Sequence, residues 1–286
     1  METGRDGARS YEFRSEDVEY LRHRDKPLLA RLYRPVGAAG PRPAIVDVHG
    51  GAWTSGDRQQ NAVIAERLAA TGTIVLSLDF RMPPEASFPA SICDINYGIR
   101  WLKAKAKSLG LALGRVGGLG TSSGGQQLML TALRPRDGRY ASLPLDEAPT
   151  VDASLAFVIL GWPVIDPLAR YEMAKQRGNE RMVQAHNAFF GSTAAMVEGN
   201  PQLIVERGEA EVLPPTLILQ GLNDDNLPPE MIDRFVAAYR QAGGAVELQK
   251  FPGEPHTFVT KTPDSAASQR ALALMVAFIA QQAGAD

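Results

Sequence analysis

The sequence predicts an α/β fold, with a mostly parallel central sheet flanked by helices. Short apolar runs alternate along the chain with longer amphipathic segments, the order expected when helices connect parallel strands. One of these runs, 43–48, is apolar almost throughout, as a strand buried on both faces must be. The chain has 286 residues, of which 44 % are hydrophobic and 22 % are charged. It can therefore bury a large core without the support of disulfides or bound metals.

The predicted strands are short and rich in apolar and β-branched residues. Two opening strands, 9–20 and 28–33, are expected to pair antiparallel before the main repeat. The later strands are predicted at 43–48, 73–80, 116–120, 155–160, 216–220 and 246–251. The run 116–120 is rich in glycine, and we interpret it as a central strand that leads into a sharp turn.

The predicted helices follow from apolar residues at helical spacing and from stop signals. In the segment 89–109, Ile92, Ile95 and Ile99 recur on one helical face, and Pro89 suits the first turn. The other helices are predicted at 59–70, from near Ser123 to before Pro135, at 229–242 ahead of two glycines, and at 264–281 with an apolar inner face.

The interval 162–213 is longer than one connecting helix requires. It contains aromatic residues among many polar ones. We interpret it as a small helical cap, or lid, inserted over the carboxyl-terminal edge of the sheet. A packing helix with long loops is the alternative. Because no internal repeat divides the chain, a single domain over 1–286 is expected.

Composition argues against several classes of partner. The formal net charge of −2 gives no reason to expect nucleic acid or an anionic membrane. The single cysteine, Cys93, excludes an internal disulfide, and no apolar run approaches the ~18 residues of a membrane span. The N-terminal stretch has no apolar signal-peptide region, so a cytoplasmic location is expected. The histidines are too dispersed to suggest a metal site. The sequence does not exclude a homo-oligomer.

The segment Gly120-Thr121-Ser122-Ser123-Gly124 matches the Gly-X-Ser-X-Gly pattern of a nucleophile elbow. The serine of such an elbow occupies a strained turn, and small neighbours let strand and helix approach each other. The segment follows an apolar strand and opens a helix, as this mechanism requires. The pattern alone also fits an ordinary strand-to-helix turn capped by serine.

The loop His49-Gly50-Gly51-Ala52-Trp53 directly follows a predicted strand. Glycines at such a place let the backbone N–H groups approach a developing oxyanion. We expect the oxyanion hole to consist of the amides of Gly51, Ala52 and Ser123. His49 is expected to have a structural hydrogen-bonding role.

The candidate base and acid follow the last two predicted strands. His256 lies in the loop after strand 246–251, which is the position of a general base in the chain order serine, acid, histidine. The loop after strand 216–220 contains Asp224 and Asp225, either of which could orient the imidazole. Asp224 is preferred because the spacing from Gly221 and the following Leu227-Pro228 resemble the usual acid loop of hydrolases, in which the first aspartate acts. The predicted triad is therefore Ser122, Asp224 and His256.

These segments resemble the hormone-sensitive-lipase-like esterases and the related feruloyl-esterase-like hydrolases and kynurenine formamidases. The resemblance runs from about Ala44 to Phe258 and includes Ser55-Gly56-Asp57, the segment 79–85, and Phe88-Pro89-Ala90 with Asp94. It implies an α/β-hydrolase fold with a cap, no cofactor, and cleavage of small carboxylic esters or amides. Thr121 and Ser123 depart from the Gly-Asp-Ser-Ala-Gly elbow of the lipase-like branch.

The expected function is therefore a serine carboxylesterase that forms an acyl-enzyme and acts on a small-molecule ester. An amidase or formamidase with the same triad is the first alternative, and a non-catalytic receptor on the same fold is the second. Trp53, Trp162, Phe189 and Phe190 are candidate walls of the substrate pocket, although large aromatic residues often belong to the core instead.

Overall fold

An eight-stranded sheet lies at the centre of the computed structural model, which describes residues 10–284. The strands are β1 (Phe13–His23), β2 (Lys26–Pro35), β3 (Arg42–Val48), β4 (Ile74–Leu78), β5 (Leu111–Thr121), β6 (Val158–Gly161), β7 (Thr216–Gly221) and β8 (Val246–Phe251). Their order is β1-β2-β4-β3-β5-β6-β7-β8. β2 runs antiparallel to both of its neighbours, and the strands from β4 to β8 are parallel. The predicted mostly parallel sheet is confirmed.

Helices cover both faces of this sheet. They are α1 (Ala62–Ala70), α2 (Ala90–Ala104), α3 (Ala106–Leu109), α4 (Ser123–Leu133), α5 (Pro167–Gln176), α6 (Glu180–Phe190), α7 (Thr193–Glu198), α8 (Pro201–Glu206), α9 (Met231–Gln241), α10 (Phe258–Lys261) and α11 (Ala266–Gly284). Alternate side chains of β3 enter two cores, because strand residues alternate between faces. Val46 belongs to the core that also contains buried residues of α2, α4 and α9, and Ile45 belongs to the core that contains buried residues of α1 and α11.

Several element boundaries differ from the prediction. The first strand is observed at Phe13–His23, not at 9–20, and Arg9 lies outside the described residues. The predicted helix 89–109 is divided into α2 and α3 at Lys105. β5 begins five residues before the predicted 116 because Leu111 pairs with Arg42 of β3. The short helix α10 was not predicted.

The interval 162–213 is mostly helical, as predicted, and contains α5 to α8. The helices α5, α6 and α7 contact one another, whereas α8 packs against α4 and α9 of the main body. Each of these four helices begins with a capping side chain that accepts a backbone N–H, and the capping residues are Asp166, Asn179, Ser192 and Asn200. A role of this interval as a lid stays a prediction.

Candidate active site

Ser122 lies at the turn between β5 and α4. Its backbone has φ +51° and ψ −120°, a conformation that costs a non-glycine residue about 1–3 kcal/mol. A Cβ on Gly120 would lie 2.8 Å from the carbonyl oxygen of Gly124, and a Cβ on Gly124 would lie 2.2 Å from the carbonyl oxygen of His49. Both glycines of the predicted elbow are therefore required by close backbone contacts.

The structure brings the three predicted triad side chains into one hydrogen-bonded line. Ser122 Oγ lies 2.9 Å from His256 Nε2, and His256 Nδ1 lies 2.7 Å from Asp224 Oδ2. Because an ionised carboxylate can only accept, Nδ1–H donates to Asp224 and leaves Nε2 free to accept from the serine hydroxyl. The two loops are joined by the bond from Asn223 N to the carbonyl oxygen of Glu254, at 2.9 Å.

Asp224, and not Asp225, faces the imidazole. The Asp224 side chain is 3 % exposed, and it also accepts from Gln220 Nε2 at 3.0 Å and from the amide of Asn226 at 2.9 Å. Asp225 is exposed, and its carboxylate accepts only from Asn226 Nδ2 among the described residues. The geometry therefore agrees with the preference for the first aspartate.

The loop after β3 passes beside the serine in an unusual backbone conformation. Gly51, Ala52 and Trp53 have φ values of +101°, +51° and +64°. A Cβ on Gly51 would lie 1.9 Å from the carbonyl oxygen of Ser55, and a Cβ on Gly50 would lie 3.1 Å from Ser122 Cβ. Within residues 10–284, the amide of Ala52 has no acceptor. The amide of Ser123 lies in the first turn of α4, where N–H groups lack intrahelical acceptors.

Two side chains of α4 fasten this loop. Ser123 Oγ accepts from the amide of Trp53 at 3.1 Å, and Gln126 Oε1 accepts from Trp53 Nε1 at 2.8 Å. Gln126 Nε2 in turn donates to the carbonyl oxygen of Gly199 at 2.7 Å. The loop is thus attached both to the elbow helix and to the helical interval.

His49 is placed for a structural role. It is 1 % exposed, bonds to the carbonyl oxygen of Gly50 through Nδ1 at 2.8 Å, and stacks on Phe80 with ring centroids 4.3 Å apart. Burial lowers the pKa of His49, so its ring is neutral at neutral pH. This agrees with the expectation for His49.

The sequence model of the BD-FAE family matches residues 31–238, which is more than half of the chain. The chain belongs to the BD-FAE family. The match includes Ser122, the loop after β3 and Asp224. His256 lies beyond the match, so its position beside Ser122 is known from the structure alone.

Known proteins similar to this BD-FAE member are named esterases. It is 28 % identical to esterase LipC of Mycobacterium tuberculosis over 76 % of this chain and 53 % of LipC, and 27 % identical to esterase LipQ of the same organism over 87 % and 58 %. The chain therefore spans little more than half the length of these curated relatives. A thermophilic esterase of Thermogutta terrifontis, solved with propionate bound, superposes with a TM-score of 0.76 at 27 % identity, covering 93 % of this chain and 94 % of that one. The fold is that of the α/β-hydrolases.

The elbow and the loop after β3 open onto a cavity of about 670 Å³. Ser122, His256, Gly51 and Ala52 line it, as does Trp162, the one predicted pocket aromatic that reaches it.

The prediction is wrong for the other three wall residues, Trp53, Phe189 and Phe190, which lie in the core and do not line the cavity. Trp53 and Phe189 stack with centroids 5.5 Å apart, Phe190 contacts Trp53 edge-on at 5.3 Å, and all three are at most 5 % exposed.

Several lining residues were missed by sequence reasoning, above all Arg170, Arg181 and Lys261. Arg170 and Arg181 lie in the helical interval, whose packing the sequence does not define, and Lys261 lies in the unpredicted α10. Within the described residues, no group of three His, Cys, Asp or Glu side chains is arranged to hold a metal ion. No helix between residues 10 and 284 is long and apolar enough to cross a membrane.

Proposed function

We propose that this protein is a serine esterase that cleaves small carboxylic esters through an acyl-enzyme. The main support is the line of hydrogen bonds from Ser122 Oγ through His256 to Asp224, at 2.9 and 2.7 Å. This line supports Ser122 as nucleophile, His256 as general base and Asp224 as the group that orients the imidazole. The names of LipC and LipQ, and the propionate in the Thermogutta enzyme, support esters as the substrate class.

In the acylation step, Ser122 Oγ attacks the ester carbonyl carbon while its proton passes to His256 Nε2. The negative charge that develops on the carbonyl oxygen is held by the amides of Gly51, Ala52 and Ser123. Removing one such donor typically costs about 10²–10³ in kcat. Asp224 keeps Nδ1 protonated and stabilises the imidazolium. The C–O bond to the alcohol then breaks, and His256 returns the proton to the departing oxygen.

In the deacylation step, a water molecule takes the place of the alcohol. His256 removes one water proton as the water oxygen attacks the acyl carbon, and the same amides stabilise the second oxyanion. The bond to Ser122 Oγ breaks, the proton returns to the serine, and a carboxylic acid leaves. The substrate partner, a small ester, follows from this chemistry, while the cytoplasmic location and the oligomeric state stay predictions from the sequence.

A labelling experiment tests the proposal. A fluorophosphonate probe is expected to label the protein covalently, and Ser122→Ala is expected to abolish labelling and to lower kcat on 4-nitrophenyl butyrate by about 10⁶-fold. Ser108→Ala is the matched control, because Ser108 is exposed on α3 and, among the described residues, its hydroxyl bonds only to the carbonyl oxygen of Lys105. Labelling that persists in Ser122→Ala would refute the proposal.

The same assay separates the esterase from its alternatives. An aryl formamide cleaved faster than the matched aryl ester would identify an amidase that uses the same three residues. A protein that binds the probe reversibly but is never labelled would be a receptor.

A further inference from the structure

The charged side chains that line the active-site cavity are all basic among the described residues. Arg170, Arg181 and Lys261 line the cavity beside His256, and none of the described lining residues is Asp or Glu. The whole chain has a formal net charge of −2, so this excess of positive charge is local. Fields of one sign in a concave site concentrate ligands of the opposite sign.

Arg170 is the most unusual of the three. It lies on α5 and is only 4 % exposed, yet it has no carboxylate within ion-pair distance among the described residues. Its Nε donates to the carbonyl oxygen of Asn226 at 3.0 Å, but its Nη1 has no hydrogen-bond partner in the same part of the chain. Burial lowers the pKa of Arg170 to about 10, so the guanidinium remains charged at neutral pH.

The groups around Arg170 do not neutralise it. Its Cζ lies 5.7 Å from the centre of the Trp53 ring, a cation–π contact that fixes the guanidinium without supplying a negative charge. His186 bonds through Nδ1 to the carbonyl oxygen of Met182, and burial together with the charge of Arg170 lowers the pKa of His186 to about 4. Asp224 is the carboxylate that acts on Arg170 electrostatically, but its oxygens already accept from three other groups.

A purely structural role does not account for this arginine. The bond to Asn226 requires a single N–H donor, which a neutral amide side chain could supply with a smaller desolvation cost. A buried charge without a partner is costly and is expected to persist only where something binds to it. The planar guanidinium matches a carboxylate, because its N–H groups can donate to both oxygens at once.

We propose that the substrate is an ester with a free carboxylate, and that Arg170 binds this carboxylate in the cavity. This inference rests on the proposed esterase function. Arg181 and Lys261 are exposed and have no ion-pair partner among residues 10–284, so they add an attractive field at the wall without themselves being fixed. The carboxylate belongs either to the acyl part or to the alcohol part of the ester.

Two matched substrate pairs test the inference and distinguish these sources. The acyl pair is 4-nitrophenyl hydrogen glutarate with 4-nitrophenyl pentanoate. The alcohol pair is the butyrate ester of 3-hydroxybenzoic acid with the butyrate ester of 3-hydroxybenzamide. In at least one pair, the anionic ester is expected to have the higher kcat/KM, by about 10-fold, and salt is expected to reduce this preference by screening the exposed cations.

Variants then assign the preference to Arg170. Arg170→Gln is expected to lower the anionic-to-neutral ratio of kcat/KM by about 10- to 100-fold, the range for a hydrogen bond to a charged group. Arg170→Lys, which keeps the charge but loses the planar fork, is expected to give an intermediate ratio. Arg207→Gln is the matched control, because it removes one exposed positive charge from the same helical interval outside the cavity wall.

The outcomes are distinguishable. If neutral esters are hydrolysed but neither anionic ester is preferred, or if Arg170→Gln leaves the ratio unchanged, the carboxylate site is refuted and the esterase stands. If no ester of either pair is cleaved and the fluorophosphonate probe does not react, the esterase itself is refuted. The wild-type comparison decides the question even if Arg170→Gln fails to fold.

Discussion

Asp224→Asn is the sharpest test of the proposed catalytic line, because the carboxylate accepts hydrogen bonds on both oxygens. Oδ2 accepts from His256 Nδ1 at 2.7 Å and from Gln220 Nε2 at 3.0 Å, and Oδ1 accepts from the amide of Asn226 at 2.9 Å. An asparagine has one oxygen and one NH₂ group, so one of these positions becomes a donor that faces another donor.

The consequence depends on which way the amide settles. With NH₂ toward His256, the imidazole must carry its proton on Nε2 and can no longer accept from Ser122 Oγ. With NH₂ toward Asn226, the backbone amide of Asn226 loses its acceptor, and the loop after β7 must shift. The first arrangement costs about 10⁴-fold in kcat in a triad of this kind, and we expect a loss of that size here.

The assay is steady-state hydrolysis of 4-nitrophenyl butyrate, with urea unfolding to verify that the variant is folded. Asp225→Asn is the matched control, since Asp225 is the exposed neighbour and makes no bond to His256. We expect Asp225→Asn to retain kcat within a few-fold. The reasoning fails if kcat of a folded Asp224→Asn variant falls by less than tenfold, or if kcat falls equally in the two variants.

Two further predictions concern buried groups next to the site. Ser123→Ala removes the oxygen that accepts from the Trp53 amide at 3.1 Å. We expect kcat on 4-nitrophenyl butyrate to fall about 10-fold with little change in KM, because this bond holds the oxyanion loop. An unchanged kcat would contradict the role of this bond. Burial raises the pKa of Asp47 to about 6 from 3.8, so its contribution to stability is complete below pH 3.8 and is lost as the pH rises through 6. Urea unfolding should therefore show that the free energy of unfolding of Asp47→Asn rises relative to that of the wild type by up to about 3 kcal/mol between pH 4 and pH 7. A difference between the two proteins that does not change with pH would contradict this prediction.

The features predicted well from the sequence are those fixed by strand ends. Ser122, Asp224 and His256 follow β5, β7 and β8, and parallel strands bring their carboxyl ends to one edge of a sheet. The sequence distinguishes Asp224 from Asp225 less clearly, because adjacent side chains of a loop can point in different directions and only the resemblance to the acid loop of hydrolases favours the first.

The features predicted poorly depend on tertiary packing. Trp53 and Phe189 are apolar enough for either a core or a pocket wall, and the sequence does not indicate that they stack on each other. Arg170 has no local signal, because the sequence around it does not reveal that α5 buries it with no carboxylate of the described residues within ion-pair distance. Its importance is visible only when burial and missing partners are considered together.

The nucleophile and the oxyanion loop are held together by the sheet itself. Val48 of β3 pairs with Gly120 of β5, so the loop after β3 and the elbow leave adjacent strands at the same level. A Cβ on Gly124 would lie 2.2 Å from the carbonyl oxygen of Val48, which means that α4 can begin there only because this residue has no side chain. The helical interval touches this assembly at Gly199 and contributes Arg170 to the cavity wall. Changes in that interval are therefore expected to alter which ester is bound while the acyl-transfer chemistry is retained.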